Sequence, residues 1–257
     1  MSYIDLQATL QDWPYEPEKI SVRKILGTDE AVRIQMRVEL GILQMEAEGR
    51  PDGTKPHGCE SLLAFHQKRL AKHQERNGTA LGFGLTRQEC HALRVEASLY
   101  YRRYIALFVL EEFVNVLRDT MHSLEIFDLC HEYGIDPEDR LALEEFRPYV
   151  VMMNARALAY QALEENQPAS ALAHVNRGIL DIRAHFDRTG QVDAGKACEE
   201  IKILRALANE LKAKVPADSV LVTRKALRTA IEQERFEEAA RLRDELKNLD
   251  TRKRRPA

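Results

Sequence analysis

The sequence predicts an α+β chain that is mainly α: a small N-terminal antiparallel β-sheet packed on a helical body, followed by a C-terminal helical hairpin. Three observations predict it. Residues 32–42 alternate apolar and polar side chains. From about residue 59 onward, apolar residues recur at three- and four-residue steps between recognisable helix caps. Residues 216–250 repeat that spacing in two short stretches with almost no link between them. The expected organisation is a sheet and loop over 1–58, a helical body over 59–215, the hairpin over 216–250 and a basic tail over 251–257.

The alternation Val32, Ile34, Met36, Val38, Leu40, Ile42 is the period-2 pattern of a strand with one wet face. Ile20 to Leu26 reads as its partner, with Gly27-Thr28-Asp29-Glu30 as the turn. Gly41 marks a bulge or a short break before Ile42 to Met45. Two or three strands cannot bury themselves, so the sheet must pack on helices. Gly49 to Gly58 is a loop by composition, and at ten residues it is longer than an ordinary connector. Its Arg50, Lys55 and His57 are candidates for contact with an anion or a partner; a plain connector is the alternative.

A first helix is expected from Cys59 to about Arg76, stopped by Asn77-Gly78. Thr86-Arg87-Gln88-Glu89 is a capping box. It opens one long helix expected to reach Tyr133-Gly134, apolar on most sides and therefore central. Asp136-Pro137 caps the next helix, which runs to about Asn166 with a kink near Pro148. Further helices follow over 169–186 and 194–214. Ala159, Ala162, Ala171, Val175 and Gly178 fall where a tetratricopeptide repeat places its packing residues, so 152–185 resembles one such helical pair. The usual first-helix aromatic and a second copy are missing, and an ordinary helical hairpin is the other reading.

Near the C-terminus, Val220, Leu227 and Ile231 share one helical face, and Phe236, Ala239, Leu242, Leu246 and Leu249 share another. The link at Glu234-Arg235 is so short that the two helices must run antiparallel. Ala239 and Ala240 permit close approach, and Phe236 sits at the tip. A hairpin of about 30 residues is too small to be stable alone, so its apolar face needs the same chain, a second copy or another protein. The block Phe236-Glu237-Glu238-Ala239-Ala240-Arg241-Leu242-Arg243-Asp244-Glu245-Leu246 resembles the UVR motif. That interaction module is shared by the UvrB and UvrC subunits of bacterial excision repair and found in partners of Clp-type proteases. The resemblance implies hydrophobic pairing through Phe236, Ala239, Ala240 and Leu242, with Arg243 and Asp244 at the rim; the face pattern adds Leu227, Ile231 and Leu246 to the expected partner-binding residues. Trp13 to Pro17, Ile34 to Arg37 and Leu43 to Gly53 resemble a bacterial family of unassigned function that carries the same motif. No helicase or nuclease segment accompanies it, so repair enzymology does not carry over.

Composition narrows the remaining classes. With 257 residues, 31% charged and net charge −3, the balance is that of a globular protein. No apolar run approaches the roughly 20 residues of a membrane span, and no basic, apolar leader opens the chain, so a cytoplasmic location is expected. Cys59, Cys90, Cys130 and Cys198 are scattered, which argues against disulfides and a zinc ribbon. There is no phosphate-binding Gly-rich loop and no His-Glu-x-x-His. Asp119 with His122, and Asp128 with His131, have ligand spacing but nothing that brings them together; Cys90, His91, Cys130 and His131 lack a catalytic motif. No cofactor and no metal are expected. The reading is a non-enzymatic adaptor that binds a protein partner or itself. A nucleic-acid-associated protein linked to repair, suggested by Arg252-Lys253-Arg254-Arg255, is the alternative, and an enzyme with an unrecognised site the second.

Overall fold

A computed structural model of the chain describes residues 6–214, 227–231, 233, 235 and 237–244. The chain divides into two compact units, Met1–Asn209 and Glu210–Ala257. Among the described residues no helix is long and apolar enough to cross a membrane.

The first unit opens with a short helix α1 (Gln7–Leu10) and a three-stranded antiparallel sheet, β1 (Val22–Leu26), β2 (Val32–Val38) and β3 (Gly41–Glu46), in the order β1-β2-β3. The alternation predicted one strand through Ile42. The chain instead reverses at Glu39-Leu40, so that Val38 pairs with Gly41, Met36 with Leu43 and Ile34 with Met45. The even-numbered alternation does not carry through that reversal: a two-residue turn sets Gly41 on the face of Val38, so Ile42 pairs with Arg37 on the opposite, polar face, and Leu40, 94% exposed, is in the turn and not a core residue. Ile34 and Met45 are buried on one face. The other carries a polar ladder, in which Arg23 Nε donates to Gln35 Oε1 (2.8 Å), Gln35 Nε2 to Gln44 Oε1 (2.9 Å) and Arg33 Nε to Glu46 Oε1 (2.8 Å).

Helix α2 (Leu62–Asn77) is capped by Ser61 and ends on Gly78 with φ +70°. The long central helix does not exist as one element. It is α3 (Arg87–Val109) and α4 (Phe113–Tyr133), folded against each other. The reversal occupies Leu110, Glu111 and Glu112. Glu111 takes a left-handed φ of +59°, and Glu112 N donates to Leu107 O at 2.9 Å, closing the end of α3. The run is apolar on two sides because it is two helices, each burying its own face. The capping box at Thr86 and Glu89 is present as expected.

After α5 (Pro137–Leu141), capped by Asp136, a single turn of 3-10 helix at Glu144–Phe146 leads into α6 (Arg147–Glu164). Pro148 does not kink a continuous helix; it sits in the first turn of α6, where no amide is needed. α7 (Pro168–Arg188) follows, then α8 (Val192–Ala197) and α9 (Glu199–Lys214), separated at Cys198 by an extended residue (ψ 122°). One core cluster joins α2, α3, α4 and α6 through Leu63, Leu93, Ile126, Phe127 and Val150.

The α6–α7 pair packs on small residues. Ala155, Ala159, Ala162, Ala171, Val175 and Gly178 are all buried. A Cβ on Gly178 would lie 2.5 Å from Ala155 Cβ and 3.3 Å from Leu204 Cδ1. Gly178→Ala is therefore expected to lower stability by about 1–3 kcal/mol, although alanine favours helix by about 1 kcal/mol. The check is the urea midpoint; a higher midpoint would mean that the helices separate without cost.

Candidate functional site

In the second unit, residues 227–231 and 237–244 are helical. Arg235 joins them. Its N–H donates to Ala230 O (2.9 Å), which closes the first helix, and its carbonyl accepts from Ala239 N (3.0 Å), which opens the second. One residue thus serves both helix ends. Ala239 is buried at 8% exposure, Leu227 and Leu242 are half-buried, and Ala240 is exposed. Ala230, which the face pattern does not single out, is fully buried, while Ile231 is 54% exposed. Arg243 and Asp244 are exposed and hydrogen-bonded to each other at 3.1 Å. Phe236 and Leu246, with Val220, Leu249 and the basic tail, lie outside the described residues.

The loop at 49–58 belongs to the first unit, and its three candidate residues do not converge. Arg50, with a side chain only 11% exposed, places Nε 3.0 Å from Glu96 Oε2 and Nη1 3.2 Å from Asp52. The Arg50 Nε–H is not aligned for a hydrogen bond, so this is an ion pair by proximity. Lys55 pairs with Glu60 at 2.8 Å in solvent. His57, at φ +51°, stacks on Phe65 with centroids 4.1 Å apart.

Glu96 was invisible as a functional residue in the sequence, and it organises this region. Its side chain is fully buried. It accepts from Leu62 N (2.8 Å) and Leu63 N (3.1 Å), the first two amides of α2, and lies 3.2 Å from His122 Nε2. Those amides have no partner inside their own helix, so a carboxylate from α3 satisfies them and meets the positive helix end. Burial pushes the Glu96 carboxyl up, but His122 and the two amides outweigh it and hold the group below the usual carboxylate range.

A second buried pair lies beside it. Arg103 on α3 and Asp119 on α4 are both 0% exposed and meet fork to fork, Nε to Oδ2 at 2.7 Å and Nη2 to Oδ1 at 2.8 Å. Arg103 Nη1 also donates to Glu46 O (2.9 Å), and Arg118 Nη2 to Ala47 O (3.1 Å). The end of β3 and the loop after it are thereby fastened to both helices.

The spaced pairs weighed as ligands are spent on the protein itself. Asp119 holds Arg103, while His122 stacks on Tyr100 at 3.7 Å and faces Glu96. Asp128 pairs with Arg147 (2.9 Å), and His131 reaches Arg140 O (3.1 Å). Among the described residues no three His, Cys, Asp or Glu side chains form a metal-binding group. Cys90 and Cys130 are buried side by side, and burial pushes the Cys130 thiol up to about 12. His91 and His131 are exposed.

No curated protein and no solved structure matches this chain. Residues 222–252, about one-eighth of its length, match the family model of the UVR, or UvrB/uvrC, motif.

Proposed function

We propose that the chain is a non-enzymatic, cytoplasmic adaptor whose α+β body carries a UVR-type hairpin for pairing with a protein partner or with a second copy of itself. The match at residues 222–252 carries this reading. It is supported by two short helices joined through Arg235 and by Ile231, a large apolar side chain left 54% exposed beside half-buried Leu227. Two hairpins that pack seam to seam bury what one leaves open. The α6–α7 pair, with its small-residue seam, serves in this reading as a tetratricopeptide-like element of the body.

Phe236 occupies the tip position of the motif. Phe236→Asp puts a charge into an apolar contact and is expected to abolish pairing, with a loss of tenfold or more in affinity. Mass by light scattering and a pull-down with intact protein against protein lacking residues 217–257 read this out. Unchanged mass together with unchanged partners overturns the adaptor reading. Salt-dependent binding to duplex or single-stranded DNA that disappears with residues 251–257 favours the nucleic-acid alternative.

A further inference from the structure

The first unit contains a cavity of about 600 Å³ between α3, α4, α6, the α5–α6 connection and the start of α9. Its size falls within the usual range of about 300–1,000 Å³ for small-molecule sites. Aromatic rings dominate its walls. Tyr104, 1% exposed, comes from the interior of α3. Tyr101, 46% exposed, and Phe146, 52% exposed, are the solvent-facing rings. Tyr101 lies edge-on to Tyr104 (5.5 Å between centroids) and tilted by 55° to Tyr149 (6.0 Å). Rings set at such angles present both faces and edges to whatever enters.

Two carboxylates at this space stand without a cation among the described residues, in contrast to the buried carboxylates of the unit. The buried carboxylates of Glu96, Asp119, Asp139 and Glu144 each meet an arginine. Arg94, the cation in the cavity wall, is held by Asp139 at 2.7 Å. Glu145 and Glu200 also line the cavity, and among the described residues neither forms an ion pair; Glu200 accepts only from Cys198 Sγ, at 3.0 Å. Neighbouring Arg147 turns away to Glu144 and Asp128. Burial, with the neighbouring Tyr101 and Glu200, raises Tyr149 above its ordinary value, so its hydroxyl stays neutral.

We propose that this cavity binds a small organic cation, an ammonium group on an apolar or aromatic body, with the charge facing Glu145 and Glu200 and the body against Tyr101, Tyr104, Tyr149 and Phe146. Aromatic faces and carboxylates both attract a cation, and an ammonium bearing alkyl groups loses little hydration on entering. An anion has no free cation to meet, because Arg94 is already neutralised. The volume suits a whole molecule better than a single protein side chain.

The test is calorimetric titration of the full chain with benzyltrimethylammonium, benzyl alcohol and benzoate, which share a ring and differ in charge. The cation is expected to saturate one site and to bind about tenfold or more tightly than the neutral probe, with benzoate weakest. The double variant E145Q/E200Q is expected to weaken the cation about tenfold, and Tyr149→Leu about fivefold, without changing benzyl alcohol binding. Both glutamates lie at the surface or half-buried, and an unchanged melting curve verifies that the double variant folds. Equal binding of cation and neutral probe, cation binding unaffected in E145Q/E200Q, or no binding at all would overturn the proposal. So would binding of a trimethyl-lysine peptide with none of the free cation, since the site would then read a protein side chain.

Discussion

Arg103→Ala is expected to lower folding stability by about 3–5 kcal/mol, as is Asp119→Ala, each read as a fall in the urea midpoint at unchanged slope. The magnitude comes from what is left behind. Both side chains are 0% exposed, so deleting Asp119 strands the Arg103 charge in the interior, and deleting Arg103 leaves the buried Asp119 to Arg118 alone. Loss of Arg103 also releases the Glu46 carbonyl, and loss of Asp119 leaves Arg118 with a weaker anchor, since its Nε donates to Asp119 Oδ1 at 2.9 Å. Replacing both residues together, as R103M/D119L, removes both charges and fills the space. It should cost much less than the sum of the two alanine variants, because a buried pair contributes little net stability over well-packed apolar side chains. Additive losses would show that the two groups do not act as a pair.

Glu96→Ala is expected to cost a similar amount, about 3–5 kcal/mol, for a different reason. Four neighbours lose a partner at once: the Leu62 and Leu63 amides lose their acceptor, His122 its contact and Arg50 its counter-charge. Glu96→Gln keeps one carbonyl oxygen for the α2 amides and should cost clearly less. The same carboxyl makes the fold acid-sensitive. Its folded-state pKa lies below its ordinary value of 4.5, so the unfolded chain takes up the proton first as pH falls. The stability that Glu96 supplies is fully present above pH 4.5 and is lost progressively below it. A denaturation series from pH 7 to pH 3.5 should therefore show a fall that shrinks in Glu96→Gln. Identical pH profiles for the two proteins would remove Glu96 from this role.

What the sequence revealed was local, and what it hid was long-range. The caps at Thr86 and Asp136 and the stop at Asn77-Gly78 are visible because their chemistry lies within four residues. The sheet is visible through its alternation, but the reversal at Glu39-Leu40 is not, since Leu40 and Ile42 happen to extend the apolar spacing although one lies in the turn and the other on the opposite face. The break between α3 and α4 carries no glycine or proline. Glu111 accepts a left-handed conformation that a glycine would have announced, and tertiary packing imposes it. Glu96, Arg103 and Asp119 read as ordinary charged helix positions; their partners come from other elements, namely each other across α3 and α4, the start of α2, His122 and the 46–50 segment. The hairpin motif is legible from its signature, whereas the burial of Ala230 instead of Ile231 depends on how the helix is turned, which a face pattern sets only to within one residue.

The three residues of the α3–α4 reversal have a consequence measured in length. Along an unbroken helix, Arg103 and Asp119 would stand about 24 Å apart, at 1.5 Å per residue, and the run from 87 to 133 would extend about 70 Å. No single strand end could then touch both halves. With the reversal, the two side chains stand 2.7 Å apart, and Glu46 and Ala47 reach α3 and α4 with adjacent carbonyls. The sheet's docking place is thus made by a change of direction near residue 111, more than 60 residues downstream of the strand that uses it.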